Sequence, residues 1–176
     1  MKRPEPVQVV KHRRDAMLQN LVAGVPYIQF LGISFERHGD ELTGVLPYNE
    51  RNIGNPMLPA LHGGVTAAFL EVAAIIELSW AMTWEDMEAG KITDDSPRIL
   101  LPKTIDFTVD YLRPGLPRDA YARARVNRSG RRYASVHVEA WQANRSRLSA
   151  QATGHVLVPQ TGQNAGWHTA ADLTHR

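Results

Sequence analysis

The 176-residue sequence contains no cysteine, which removes disulfides, thiolate metal sites and cysteine nucleophiles at once. A reducing, cytoplasmic setting is the corresponding expectation. Net charge is also small, +2 with His neutral, too weak a field to hold a nucleic-acid backbone, so no nucleic-acid partner is expected. No apolar stretch with a small-residue cleavage site follows the basic start Met1-Lys2-Arg3-Pro4, and no secretory leader is expected. The sequons Asn127-Arg128-Ser129 and Asn144-Arg145-Ser146 therefore carry little weight. Missing too are Gly-x-Ser-x-Gly, a phosphate loop ending in Gly-Lys-Ser/Thr, His-Glu-x-x-His and Gly-x-Gly-x-x-Gly. Histidines occur, but none pairs at metal spacing, and His38, His137 and His155 read as surface or strand residues.

What is present is globular: 43% hydrophobic and 22% charged residues, in a length that fits one domain. The long apolar run Val65 to Trp84 has the length of a membrane-spanning helix. Glu71 and Glu77 interrupt it, and each would cost roughly 3 kcal/mol in a bilayer, so a helix buried in protein is expected and no membrane span. From about Gly63 to Trp84 the apolar residues occupy every face, which marks a central helix.

Before it, Val7 to Val22 carries apolar residues at helical spacing and a basic run, Lys11-His12-Arg13-Arg14, and predicts an amphipathic leading helix stopped by Gly24-Val25-Pro26. Ile33 to Arg37 and Leu42 to Pro47 read as two strands around His38-Gly39-Asp40. Residues 49–62 read as loop. After the helix, four alternating runs predict strands at Thr104 to Leu112, Ala120 to Asn127, Tyr133 to Ala143 and Leu148 to Val158. In the first, Ile105, Phe107, Val109 and Tyr111 share one face and Asp106, Thr108 and Asp110 the other. Short connections make the strands antiparallel neighbours, giving an α+β fold in which a curled antiparallel sheet clasps one long helix. The expected organisation is an N-terminal helical extension over 1–26, a domain over 27–159 and a loosely ordered tail over 160–176, with Trp167 its one large anchor.

The feature that carries chemistry is Leu61-His62-Gly63-Gly64-Val65, where loop becomes helix. Two glycines admit a close approach to the backbone, and the first amides of a helix lack internal partners, so they can polarise a carbonyl oxygen. A tight turn into a helix is the plainer reading of the same residues. Glu71 lies two turns in, where burial disfavours a charge and tends to raise a carboxyl pKa; a capped or salt-bridged structural Glu is the alternative. Glu77, about 240° further round the helix, is expected to find solvent or an arginine. Gly64 and Glu71 stand roughly 10 Å apart along the helix, so an amide and a carboxylate acting on one atom would come from two subunits across a two-fold axis. A dimer is the expected smallest active unit.

Asn55, His62-Gly63-Gly64, Glu71 nine residues after the His, and Lys103-Thr104-Ile105-Asp106-Phe107-Thr108-Val109-Asp110-Tyr111-Leu112-Arg113-Pro114 together resemble the PaaI-like hotdog thioesterases, as do the Gly130-Arg131-Arg132 turn and the Ala152-Thr153-Gly154 strand. The likeness spans about residues 30–158. It implies a hotdog fold, a dimer or dimer of dimers, and hydrolysis of acyl-coenzyme A without metal or other cofactor. It further implies Glu71 as base or nucleophile, the Gly63 amide on the thioester oxygen, His62 supporting the loop or the thiol end, and Asn55, or else Asn52, positioning the attacking water.

Arg113, Arg131 and Arg132 are candidates for the coenzyme phosphates and Gly64 for substrate contact; a solvated strand edge would also account for the arginines clustered from Arg123 to Arg132. Phe69, Ile75, Trp80 and Trp84 are either acyl-pocket walls or core. A non-catalytic hotdog module that binds acyl-coenzyme A as a sensor or scaffold is the alternative function, ahead of a hydratase-like hotdog.

Overall fold

A computed structural model describes residues 6–89 and 101–159. Among these residues three α-helices, α1 (Val7–Ala23), α2 (Pro26–Leu31) and α3 (Gly63–Glu88), accompany eight strands: β1 (Ser34–His38), β2 (Glu41–Leu46), β3 (Ile53–Asn55), β4 (Ala60–Leu61), β5 (Lys103–Tyr111), β6 (Ala120–Ser129), β7 (Tyr133–Trp141) and β8 (Ala150–Leu157). Six of the strands make one antiparallel sheet in the order β1-β2-β6-β7-β8-β5, and β3 pairs with β4 as a separate hairpin.

Alternation builds the sheet. Along β7, Ala134, Val136, Val138 and Ala140 are buried, and along β8 Ala150, Ala152, Gly154 and Val156 are, while the residues between them face away. Small Ala and Val side chains on that face let α3 lie close to the sheet. The apolar stretch of α3 is long enough to cross a bilayer, but Phe69, Leu70, Ile76, Leu78 and Trp80 are buried in the core instead. Helix α1 adds Leu18, Leu21 and Val22 to the same core. It is also tied by Arg14, which stacks 3.3 Å above the Trp84 ring and bonds Asp40, and by Asp15, which accepts from Arg37.

Three departures from the expectations have physical causes. Gly24-Val25-Pro26 does stop α1, but Pro26 also starts α2, because its fixed φ suits the first helical position; Gly32, at φ 69°, closes that helix. The Asn-, Gly- and Pro-rich stretch before α3 holds a short 3-10 turn at Glu50–Asn52 and the β3–β4 hairpin. In β5 the strict alternation fails: the register with β8 slips at Ile105, so Thr104 pairs with buried Val156 and Ile105 is 54% exposed. A bulge of this kind moves the preceding residue to the opposite face. The expected tail over 160–176, with Trp167, lies outside the described residues.

Candidate active site

The start of α3 is fixed by its neighbours. The His62 N–H donates to the Asn52 carbonyl (2.8 Å), the Leu61 N–H donates to the Gly115 carbonyl (2.8 Å), and the Val65 and Thr66 N–H groups return to the His62 carbonyl. The His62 ring folds back so that Nδ1 accepts the Gly64 N–H at 2.9 Å. That bond uses one of the two amides offered by His-Gly-Gly. Among the described residues no acceptor receives the Gly63 N–H, which stands at the positive end of a 26-residue helix. Gly54 makes the arrangement possible, since a Cβ there would stand 2.8 Å from both Cα and Cδ2 of His62.

Strand β5 contacts both halves of the constellation. At its C-terminal end the Tyr111 hydroxyl donates to the Gly63 carbonyl at 2.8 Å, with the ring lying against Gly63. At its N-terminal end the Thr104 hydroxyl donates to Glu71 Oε1 at 2.5 Å. Thr104 reaches that carboxylate because the slip at Ile105 turns it toward the helix. Within one chain, then, Gly63 and Glu71 are eight residues apart on α3, roughly 12 Å, and are held from opposite ends of one strand. Neither Thr104 nor Tyr111 stood out in the sequence; position 104 fell on the wrong face of a strict alternation.

The other candidates are dispersed. The Asn55 side-chain oxygen accepts the Met57 and Leu58 N–H groups and shapes the tip of the β3–β4 hairpin; Asn52 is buried beneath His62. Arg113 donates to the Leu148 carbonyl at 2.5 Å. Arg131 and Arg132 are exposed in the β6–β7 turn, at the Thr104 end of the sheet. Trp80 and Trp84 are committed to packing, Phe69 both packs in the core and lines the cavity beside Gly63, and Ile75 packs against a smaller cluster with Leu78, Val156 and Val158. Glu77 departs from expectation: burial pushes its carboxyl up to about 7, and the nearby negative charge of Glu41 adds to the shift. The arginine in that region, Arg123, bonds Glu41 and Thr43. Beside Gly63, a cavity of about 250 Å³ runs between the start of α3 and the sheet.

Residues 54–155 match the family described as the acyl-CoA thioesterase N-terminal domain. The chain belongs to the hotdog-fold acyl-CoA thioesterases. Within this thioesterase family it is 34% identical over 119 residues, 65% of this chain and 74% of the other, to the medium/long-chain acyl-CoA thioesterase YigI of Escherichia coli K12. Among solved structures, a Shewanella oneidensis protein related to the thioesterase superfamily superimposes with TM-score 0.69 at 25% identity, covering 89% of this chain and all of that one. A Chromobacterium violaceum protein does so with TM-score 0.60 at 32% identity, covering 88% and 99%. The enzyme is thus an acyl-CoA thioesterase by family and by fold.

Proposed function

We propose that this thioesterase works as a dimer in which Glu71 of one subunit and the Gly63 N–H of the other act on the same thioester. The observation that carries this reading is the placement of Gly63 and Glu71 at opposite ends of β5, an edge strand of the sheet. An edge strand with free backbone groups invites pairing. If two copies of β5 pair antiparallel about their middle, the Thr104–Glu71 end of one lies beside the Tyr111–Gly63 end of the other, and two equivalent sites form.

In such a site the Gly63 N–H would hold the thioester oxygen as negative charge builds on it, and Glu71 would take a proton from water attacking the carbonyl carbon or attack that carbon itself. The C–S bond breaks and the coenzyme thiolate takes up a proton; with water as the attacking group the free acid departs at once, whereas attack by Glu71 leaves an acyl anhydride on its carboxylate, which a water molecule then cleaves to release the acid and restore Glu71. His62 holds the loop through Gly64, which leaves the Gly64 backbone beside the substrate. By the resemblance alone, Asn55, or else Asn52, would position the attacking water. The same pairing would bring Arg113 of one copy toward Arg131 and Arg132 of the other, a cluster suited to the coenzyme phosphates. The name of the E. coli relative supports medium or long acyl chains, and the cysteine-free composition supports the cytoplasm.

Glu71→Gln tests the assignment. Thiol release from acyl-coenzyme A should fall by at least about 10³-fold while binding of an acyl-coenzyme A persists. A variant that retains turnover would remove Glu71 from the chemistry.

A further inference from the structure

We infer that the cavity beside Gly63 receives the apolar tail of the acyl group, and that Leu46, Ala120 and Ala140 at its inner end set the chain length accepted. The inference rests on the thioesterase reading and adds the part of the site that selects the substrate.

The chemistry of the walls carries it. The cavity is lined by Leu46, Leu61, Phe69, Ala120 and Ala140 on its apolar side. Its polar lining side chains are each already bonded to backbone. The Thr66 hydroxyl donates to the His62 carbonyl, the Tyr111 hydroxyl to Gly63, Arg113 to Leu148 and the Ser149 hydroxyl to Ala140. The Gln142 amide donates to the carbonyls of Leu116 and Arg118 and accepts from the Leu116 N–H. Those bonds hold the polar side chains against the backbone, and an alkyl chain lying along Leu46, Leu61, Phe69, Ala120 and Ala140 leaves every one of them intact. Gly63 is at once a wall of the cavity and the residue with the free N–H, so a chain seated inside brings its carbonyl carbon out at the start of α3.

Size narrows the class. A cavity of about 150 Å³ takes benzene, roughly 25 Å³ per carbon. On that scale, about 250 Å³ suits a straight chain of roughly ten carbons. Leu46 and Ala140 are each 1% exposed and contribute to the pocket wall, so their size decides the depth.

The test uses two series on the full chain. Non-hydrolysable S-alkyl coenzyme A thioethers of two to eighteen carbons are read by thermal stabilisation, and the matching acyl-coenzyme A thioesters by thiol release. Wild type should be best near ten carbons. Ala140→Val should move the optimum about two carbons shorter and Leu46→Ala about three longer, by the same volume scale. Ala120→Val gives a second shortening variant should Ala140→Val fail to fold. Opposite shifts from filling and emptying one cavity cannot come from lost stability alone. One optimum shared by all the variants, in both series, overturns the inference. Shifted thioether optima without hydrolysis of any thioester would sink the hydrolase reading and leave the chain site standing; hydrolysis with a fixed optimum would do the reverse.

Discussion

The Thr104 hydroxyl donates to Glu71 Oε1 at 2.5 Å, and it does so from a strand whose alternation would have turned Thr104 away. The slip at Ile105 makes the contact, and Gly154 makes room for the slip: a Cβ at position 154 would stand 2.4 Å from Phe107 and 2.9 Å from the Asp106 carbonyl. One glycine on β8 thus allows a bulge on β5, and the bulge delivers a donor to the candidate catalytic carboxylate.

Removing that donor should cost rate rather than binding. Thr104→Val keeps the shape and deletes the hydroxyl; a hydrogen bond to a charged group contributes about 1.5–3 kcal/mol, so kcat should fall roughly 10- to 100-fold with KM little changed. Thr104→Ser should restore most of it. Equal kinetics for the Val and Ser variants would show that the hydroxyl is idle.

Tyr111 fixes the other partner. Tyr111→Phe deletes the bond to the Gly63 carbonyl and leaves the ring in place. With the first turn of α3 less firmly set, kcat should drop about fivefold, the value of one hydrogen bond of about 1 kcal/mol, while the melting temperature moves by only a few degrees. Steady-state kinetics beside a thermal melt decides it, and an unchanged kcat argues against the contact.

Gly54→Ala should injure the site without touching a reacting group. The added methyl would overlap His62 at 2.8 Å, and forcing it in costs about 1–3 kcal/mol. His62 must shift, and its bond to the Gly64 N–H with it. The expected result is a lowered melting temperature together with a fall in kcat; a fully active Gly54→Ala enzyme would mean that the His62 position is immaterial.

Glu77 predicts a pH-dependent stability. Its carboxyl is raised from 4.5 to about 7 in the folded chain by burial and then by Glu41. Between those values the unfolded chain gives up the proton and the folded chain keeps it, so stability declines as pH rises from about 4.5 to about 7, by at most about 3 kcal/mol. Below 4.5 the effect is absent. Glu77→Gln should therefore raise the urea midpoint relative to wild type at pH 8 and leave it alike at pH 4. An equal difference at both pH values would assign the effect to packing.

Much of this was legible in the chain itself. Apolar residues on every face of Gly63 to Trp84 announced a core helix, and alternation located β5 to β8 within one or two residues, because long elements repeat their signal many times. Short elements do not: α2 has six residues, and β3 and β4 have three and two, so Asn, Gly and Pro dominated the reading there. The bulge at Ile105 was hidden for another reason. It depends on what faces β5 across the sheet, Gly154 above all, and no local pattern in β5 records that. Glu77 likewise required the position of Glu41, thirty-six residues away and on a different element.

The two-subunit site is tested most directly by mixing two inactive copies. Glu71→Gln lacks the carboxylate; Gly63→Pro lacks the N–H at the first helical position, where proline is tolerated. Each alone should be inactive. Co-assembled at random, half the dimers are mixed and each mixed dimer rebuilds one of its two sites, so about a quarter of wild-type activity should return. If Glu71 and Gly63 act within one chain, no pairing restores a site, and activity absent from the mixture would contradict the account.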